Sequence, residues 1–262
     1  GKTTLIRTLC GRVTPTAGQL SVADCQLGDK NYHRQIGLVP QDLALFSHMT
    51  ATENLTAFAR MAGLRGKASA EGVSQTMDAI QINDHHDVAV ENLSGGWKRR
   101  VNIAAAMIHA PRLLILDEPT VGVDIGAQFA IEDAIRAYAR KGNAALITTP
   151  DMDQAERLCD RVGLLQGGTF VRTGAPDALL QHHFEDQKLL SLRLNQPAAK
   201  PAMSQLVEAG YHQTDPTLWT RFLSGSGESE IASARALDLS IREVSLRSPN
   251  LGHLMQDLTE AG

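Results

Sequence analysis

The sequence predicts an α/β protein with a parallel core sheet, a helical insertion and a smaller second unit. Strand and helix patterns alternate through residues 1–175, which is typical of a parallel sheet flanked by helices. Within this part the run Leu113–Leu116 is apolar at every position, as in a strand covered on both faces. Two acids, Asp117 and Glu118, follow at once. Open α/β sheets bind ligands at this edge, and carboxylates are costly there without a metal or a polar substrate.

Length and composition suit one large domain, or one domain with an appendage. The 262 residues are 43% hydrophobic and 21% charged, with neither a signal peptide nor an apolar run long enough to span a membrane. Any membrane role is therefore expected to come through a partner. Residues 176–262 carry 7 basic and 11 acidic residues, which argues against nucleic-acid binding. The three widely spaced cysteines favour reduced thiols over zinc or disulfides.

The chain begins with Gly1-Lys2-Thr3-Thr4, which is the second half of the phosphate-loop pattern G-x-x-x-x-G-K-[ST]. A short helix is predicted to follow and to end near Gly11. Because no initiator Met precedes this half-motif, we expect a truncated sequence whose upstream strands are missing. Taken alone, the tetrapeptide is equally compatible with a solvated N-terminal stub.

Two short strands are predicted next, at Gln19–Ala23 and Gln35–Val39. Gln41 lies just beyond the second strand, in a polar break that would by itself be read as an ordinary turn. From Thr52 to about Ile82 the apolar residues repeat at helical spacing, in two helices separated by glycines. With the helix after Leu93, they form a helical insertion over about 50–110.

The triplet Ser94-Gly95-Gly96 opens that third helix, where small residues leave backbone N–H groups accessible to an anion. Beyond the acid pair, the pattern predicts alternating helices and strands up to residue 175. They are a helix at Ala127–Arg140, a strand at Ala144–Thr149, a helix at Met152–Cys159, and a hairpin of Val162–Leu165 and Thr169–Arg172. The run His85-His86-Asp87 lacks a further ligand at suitable spacing, so a metal site there is disfavoured.

The last third of the chain predicts a separate unit. Residues 176–187 begin as a helix through Leu180 and continue as a polar linker, and residues 188–262 form a small sheet packed by helices. The expected order is βαβαβα, with strands at Leu189–Leu194, Thr217–Leu223 and Leu239–Leu246 and helices at Met203–Glu208, Ser229–Leu237 and Leu251–Leu258. Nothing in this unit forms a catalytic constellation.

Four signals occur in one order: GKTT at 1–4, a strand-end glutamine at 41, LSGG at 93–96 and LLILDEP at 113–119. On these motifs the sequence resembles the ATP-binding subunit of an ABC transporter, over nearly all of residues 1–175. The phrases IGLVPQDLALFSHMTATENL, LSGGWKRRVNIA and AERLCDRVGLL further resemble the exporter branch paired with ABC-2 type permeases, of the daunorubicin-resistance type. The tail looks like the C-terminal accessory domain of that branch.

The resemblance implies a fold and an assembly. The fold would be a P-loop NTPase core of ABC type at 1–175 with a helical insertion, and a small α+β accessory domain at 188–262. The cofactors would be ATP and Mg²⁺. The partners would be a second ATP-binding subunit, expected to be an identical copy, and an ABC-2 type permease that holds the protein on the cytoplasmic face of the plasma membrane.

The resemblance also assigns roles around the ATP of the same chain. Gly1 and Lys2 would contact the phosphates, with the Lys2 charge on the β- and γ-phosphates. The Thr3 hydroxyl would ligate Mg²⁺, and Thr4 with the helix N-terminus would face the α- and β-phosphates. Gln41 would touch Mg²⁺ or the attacking water.

The two acids would have different roles. Asp117 would hold the Mg²⁺ shell, and Glu118 would orient and deprotonate the attacking water as general base. In this family Ser94, Gly95 and Gly96 close over ATP held by a second subunit. Asp124, in the loop after the acid pair, would line that interface. Hydrolysis would therefore need a dimer.

One position departs from the family pattern. The family carries a histidine after the strand that follows the acid pair, where this chain has Pro150. Proline has no side-chain donor for the γ-phosphate, so two readings stay open. The protein is either a slow or regulated ATPase in which Glu118 still works, or an ATP-gated dimerisation switch with little hydrolysis. A role in DNA repair or translation is disfavoured, because the chain lacks a second cassette, coiled coils and zinc cysteines.

Overall fold

The structure, a computed structural model, describes residues 1–225, 231 and 239–260. It divides the chain into two compact units: Gly1–Pro150 with Gly167–Thr169, and Asp151–Gln166 with Phe170–Gly262. The domain boundary near 175 that the sequence suggests stays a prediction. Within the described residues no helix is both long and apolar enough to cross a membrane.

The first unit is built on a three-stranded parallel sheet. In chain order it contains α1 (Lys2–Leu9), β1 (Ser21–Val22), β2 (Cys25–Gln26), β3 (Ile36–Val39), α2 (Ala51–Met61), α3 (Gly66–Ala79), α4 (Gly95–Met107), β4 (Leu113–Asp117), α5 (Ile125–Arg140) and β5 (Ala144–Thr148). The strand order is β3-β4-β5, so the strand that carries the acid pair is central. The strand predicted at Gln19–Ala23 is only two residues long and pairs in a small hairpin with β2.

The centre of β4 explains why this strand organises the sheet. Leu114, Ile115 and Leu116 are fully buried, as expected for a strand covered on both faces. Ile115 lies in one apolar cluster with Ile6 of α1 and Ile36 of β3. This packing fixes α1 on the sheet, with the N-terminus of α1 carrying the phosphate-loop residues.

The helical insertion has its own core. Thr50 begins α2 with a capping box, in which its hydroxyl accepts from the Glu53 N–H and the Glu53 carboxylate accepts from the Thr50 N–H. Buried apolar residues of all three helices meet in one cluster, including Leu55, Val73 and Val101. The pattern of three helices predicted over about 50–110 is therefore present.

Helix α4 approaches the sheet closely at Gly37. A Cβ built on Gly37 would lie 2.3 Å from the Ala106 carbonyl oxygen, which no side chain can satisfy without moving the helix. Glycine at this position lets α4 lie directly on β3. The helix that opens with Ser94–Gly96 is thus held against the same sheet as the acid pair.

The second unit contains an antiparallel sheet. Its elements, in chain order, are α6 (Met152–Leu158), β6 (Val162–Gln166), β7 (Thr169–Gly174), α7 (Pro176–Phe184), β8 (Gln187–Leu194), α8 (Lys200–Glu208), β9 (His212–Asp215), β10 (Leu218–Ser224), β11 (Ile241–Arg247) and α9 (Leu251–Glu260). The sheet order β11-β8-β10-β9 is antiparallel at every pairing. Leu190, Leu192 and Trp219 lie in its core.

Two expectations for this unit need correction. The helix predicted to end at Leu180 continues into the polar run, because α7 runs to Phe184 and β8 begins at Gln187. Phe184 is buried in an apolar cluster with Leu251 and Leu254, and this anchor continues the helix through the polar run. The expected order also missed β9, which pairs with β10. The helix predicted at Ser229–Leu237 lies outside the described residues.

Candidate functional site

The acid pair lies where β4 ends beside β5. The Thr148 hydroxyl donates a hydrogen bond to the Asp117 carboxylate, and the Glu118 N–H donates to the Thr148 carbonyl oxygen at 2.9 Å. Glu118 has a φ of 49°, in the left-handed region that non-glycine residues seldom adopt. The chain therefore turns sharply at Glu118 while Asp117 stays in the sheet.

Glu118 brings together residues from three separate stretches of the chain. Gln41 Nε2 donates to one Glu118 carboxylate oxygen at 3.0 Å. Lys2 Nζ lies 3.7 Å from the other oxygen. The glutamine comes from the segment after β3 and the lysine from the start of α1, so both reach the carboxyl edge of the sheet. The Glu118 side chain therefore contacts the side chains of Gln41 and Lys2 in one small region at that edge of the sheet.

The start of α1 presents unpaired donors at this edge. Gly1 is the N-cap residue, no side chain in the described part of the chain caps the helix, and the first helical bond joins Leu5 N–H to the Gly1 carbonyl oxygen. The N–H groups of the first turn have no intrahelical partner, and such a helix start suits an anion. Thr3 and Thr4 are exposed there.

The donor set suits Mg²⁺ bound together with phosphate oxygens. Asp117, Thr3 and Gln41 offer carboxylate, hydroxyl and amide oxygens, which Mg²⁺ prefers. No cluster of three or more His, Cys, Asp or Glu side chains able to hold a metal exists in the part of the chain that the structure describes. Mg²⁺ is commonly held by one or two carboxylates plus substrate phosphates, so an all-protein cage is not required.

The loop that carries Gln41 is fastened by a residue that the sequence analysis missed. Arg99 of α4 donates to the Gln41 carbonyl oxygen at 2.7 Å and to the Pro40 carbonyl oxygen at 3.3 Å. Burial lowers the pKa of Arg99, and the nearby Asp42 carboxylate partly opposes that shift. A basic residue on the inner side of a helix is a weak signal, which a helical projection of residues 95–107 would have shown.

The LSGG residues form a second group with Asp124. The Ser94 hydroxyl caps α4 by accepting from the Trp97 N–H at 3.5 Å, and Asp124 caps α5 by accepting from the Ala127 N–H at 2.9 Å. Gly96 is buried between the two helices, whereas Gly95 is exposed. Among the described residues no hydrogen bond or ion pair joins this group to Lys2, Gln41 or Glu118. Its predicted contact with the ATP of a second subunit stays a prediction.

Pro150 lies two residues beyond Thr148, the residue that contacts both members of the acid pair. It is exposed and brings no polar side chain to this edge. Thr149, between them, is partly buried. The departure from the family pattern thus falls next to the strand end that supports Asp117 and Glu118.

A cleft lies elsewhere, between α2 and α3. Its volume is about 790 Å³. Its lining combines basic, hydroxyl and apolar side chains, without a carboxylate: Thr52, Thr56, Arg60, Arg65, Gly66, Ser69, Ala70, Val73, Ser74, Met77 and His86. Size alone does not make it the reaction site, because water activation and Mg²⁺ binding need the carboxylates found at the end of β4.

These features define the class of protein. A parallel sheet, a Gly-Lys-Thr helix start packed on its central strand and an acid pair at the end of that strand form a P-loop NTPase fold. Solved structures agree. An ATP-binding subunit of an ABC transporter has a TM-score of 0.60 with 26% identity, over 70% of this chain and 77% of that one. The protein cbiO1 from Clostridium perfringens, described as part of the ABC transporter complex cbiONQ, has a TM-score of 0.61 with 27% identity, over 67% and 72%.

Sequence comparisons point to the same kind of protein. Residues 1–121 match the family model described as ABC transporter. The Nod factor export ATP-binding protein I of Bradyrhizobium diazoefficiens is 37% identical over 185 residues, which are 70% of this chain and 60% of that protein. The linearmycin resistance ATP-binding protein LnrL of Bacillus subtilis is 28% identical over 270 residues, which are 99% of this chain and 86% of that protein.

The chain is therefore similar to the ATP-binding subunits of ABC transporters, and residues 1–121 carry the match to the family model. The matched part spans about 60% of the length of the Nod factor export relatives.

Proposed function

We propose that the protein binds ATP and Mg²⁺ and hydrolyses ATP to power export through a separate ABC-2 type membrane permease. The observation that carries the proposal is the Glu118 carboxylate, which contacts both Gln41 and Lys2 at the end of β4. A general base must lie within reach of the water it deprotonates, and a phosphate-binding lysine must lie beside that water. One carboxylate with both neighbours meets these requirements.

Each residue then has a role that its position supports. Lys2, with the N–H groups at the start of α1, binds the β- and γ-phosphates. Thr3 and Asp117 hold Mg²⁺, with Gln41 as a further ligand or as a guide for the attacking water. Mg²⁺, when bound, neutralises charge that develops on the phosphate oxygens. Glu118 orients the water and accepts its proton.

A second copy of the chain completes the site. Ser94, Gly95 and Gly96 of one subunit close on the ATP of the other, with Asp124 at the interface. Capping by Ser94 and Asp124 supports this assignment, because it fixes the starts of α4 and α5 side by side. Two small residues at a helix N-terminus allow a phosphate to approach the backbone closely.

The export direction and the permease rest on the relatives. One relative is named for Nod factor export and another for linearmycin resistance, and both are named ATP-binding proteins. A subunit of this kind would lie on the cytoplasmic face of the plasma membrane, held there by its permease. The cargo would be chosen mainly by the permease.

A second candidate function follows from Pro150. A subunit that lacks the polar group expected at this position would close on ATP as a dimer but hydrolyse it very slowly. Support for this alternative is the exposed proline at the strand end that contacts Asp117 and Glu118. The two candidates differ in turnover and agree in ATP binding.

Phosphate release by the full-length protein assembled with its permease separates the two candidates. We expect Mg²⁺-dependent release in the wild type and a faster rate in Pro150→His. The increase should reach at most about a hundredfold to a thousandfold, the loss that follows removal of one positioned polar group at a transition state. An unchanged rate in Pro150→His would show that this position does not limit turnover. ATP binding without any release by the wild type would favour the switch.

A further inference from the structure

Arg99 is a buried cation whose hydrogen bonds go to the loop of Gln41. The residue is only 7% exposed, and its guanidinium forms no ion pair within the described part of the chain. A buried charge needs compensating partners, and here these are the carbonyl oxygens of Pro40 and Gln41, with the Asp42 carboxylate nearby. Hydrogen bonds from a charged donor are short and strong, as the 2.7 Å distance to the Gln41 oxygen reflects.

Two further side chains of the helical insertion hold the same loop. Asn102 lies about one helical turn after Arg99 and accepts from the Ala44 N–H at 3.2 Å. Asn54 of α2 accepts from the Phe46 N–H at 2.8 Å and donates to the Phe46 carbonyl oxygen at 3.0 Å. Residues 40–46 are therefore fastened to α2 and α4 along their length. Arg99 holds the end that carries Gln41.

Helix α4 and two hydrogen bonds connect the Ser94–Gly96 group to the group around Glu118. Gly96 precedes Arg99 by three residues on α4, a rise of about 4.5 Å along a rigid helix. Arg99 holds the Gln41 backbone, and the Gln41 side chain donates to Glu118 at 3.0 Å. The α4 N-terminus is thus linked to the Glu118 carboxylate through one side chain and one loop residue.

We propose that Arg99 is a positioning residue that couples the Ser94–Gly96 end of α4 to the orientation of Gln41 and so to Glu118. The proposal rests on the proposed function, because that function gives the coupling its purpose. Closure on the ATP of one subunit sets the position of the water-activating group for the ATP of the other. Arg99 itself touches neither nucleotide nor water in this account.

The test compares Arg99→Met with Lys98→Met in the full-length protein. Lys98 is a matched control, since it lies next to Arg99 on α4 and also donates to a backbone carbonyl oxygen, that of Glu91, at 2.9 Å. We expect Arg99→Met to lower kcat about tenfold or more while the KM for ATP changes less than about twofold, as for an interaction that acts in the transition state. Lys98→Met should leave both near the wild-type values.

A second readout does not depend on hydrolysis. Without nucleotide, backbone hydrogen exchange in residues 40–46 should be faster in Arg99→Met than in Lys98→Met, because of these two residues the arginine contacts that loop and the lysine contacts Glu91. Arg99→Lys keeps the charge but lacks the planar fork that spans two carbonyl oxygens, so it should restore part of the kcat and part of the protection. This variant also keeps the test usable if Arg99→Met fails to fold.

The outcomes separate this proposal from the proposed function. Identical exchange and identical kcat in Arg99→Met and Lys98→Met would overturn the coupling. Parallel losses of kcat, ATP affinity and melting temperature in Arg99→Met would also overturn it, because they would indicate a general loss of structure. A wild type that releases no phosphate would instead contradict the ATPase function, while the exchange comparison would still test the contact.

Discussion

Glu118 adopts a backbone conformation that its residue type disfavours. Its φ of 49° lies in the left-handed region, where a non-glycine residue costs about 1–3 kcal/mol. The turn takes the chain out of β4 and directs the carboxylate toward Lys2 and Gln41. Strain of this kind persists where the surroundings enforce it, and here the Glu118 N–H is held by the Thr148 carbonyl oxygen. The fold thus stores strain at the residue to which the account assigns proton transfer.

Residue types at the site could be predicted, but their contacts could not. Short motifs in a fixed order point to the site residues, and a single sequence displays such motifs directly. These residues are Lys2, Gln41, Asp117 and Glu118. The role of Arg99 depends on a partner 58 residues away, and no local pattern encodes such a pairing. The left-handed turn at Glu118 was equally hidden, since it is imposed by hydrogen bonding to β5 rather than by residue type.

Tyr138 gives a prediction at the same scale. Its ring is 5% exposed, and its hydroxyl donates to the Pro111 carbonyl oxygen. Burial raises the Tyr138 pKa to about 12, with a smaller opposing effect from Arg112. The phenol of the unfolded chain titrates near 10. Because the folded pKa is the higher one, the neutral phenol stabilises the fold below about pH 10, and this contribution is lost as the pH rises toward 12.

Tyr138→Phe should therefore weaken the fall in unfolding free energy between about pH 10 and pH 12, measured from urea midpoints. At neutral pH the variant should lose about 1–3 kcal/mol, because a buried carbonyl oxygen is left without its donor. If the unfolding free energy of Tyr138→Phe fell with pH as steeply as that of the wild type, the Tyr138 phenol would not control the loss of stability at alkaline pH.

At the scale of elements, α4 and α5 meet through the LSGG glycines. A Cβ on Gly96 would lie 2.5 Å from the Ala127 Cβ of α5, whereas a Cβ on Gly95 meets nothing closer than the Gly122 carbonyl oxygen at 3.8 Å. The sequence assigned both glycines to phosphate approach. The structure adds a packing reason for Gly96 alone, because α5 occupies the space that a side chain would need.

This difference predicts unequal stability of two adjacent variants. Gly96→Ala should destabilise the fold by about 1–3 kcal/mol, since α4 must shift from α5 to admit the methyl group. Gly95→Ala, at the exposed start of the helix, should stay within about 0.5 kcal/mol of the wild type. Urea unfolding of the two variants without nucleotide measures this difference. Equal midpoints for Gly96→Ala and Gly95→Ala would contradict the packing assignment.

Elements with strong periodicity were predicted well, and those without it were not. The helices α2, α3, α4 and α5 begin and end within a few residues of the predicted bounds, because each carries an apolar stripe. Strand β9, at His212–Asp215, has no buried residue and is formed only by pairing with β10. Helix α7 continues to Phe184 through a polar run because one buried aromatic residue anchors its end. Tertiary contacts, rather than local sequence, therefore determine strand β9 and the end of α7.

At the scale of the whole molecule, the alternation of strands and helices predicted the parallel sheet of the first unit correctly. The same reasoning in the second unit missed one strand and could not reveal that every pairing is antiparallel. Alternating apolar residues show that a strand has one buried face, but they do not show which neighbour it pairs with. The accessory role of residues 188–262 stays a prediction.

Under the proposed function a single chain is incomplete as an ATPase. Asp117 and Glu118 would act on the ATP of their own subunit, and Ser94–Gly96 would act on the ATP of the partner. The two groups share no hydrogen bond or ion pair within the described residues, and Arg99 with Gln41 links them indirectly. Dimerisation driven by ATP, with turnover that depends on Glu118, is the property that distinguishes this arrangement from a self-contained nucleotide site.

The most direct test is the behaviour of Glu118→Gln in Mg²⁺ and ATP, with subunit association followed by sedimentation velocity and phosphate release measured on the same sample. We expect the full-length variant to form dimers with ATP and to release no phosphate, because the amide keeps the shape of the carboxylate but cannot accept the proton. Release at the wild-type rate would contradict the assignment of Glu118 as the base. A variant that binds ATP but remains a monomer would contradict the shared site.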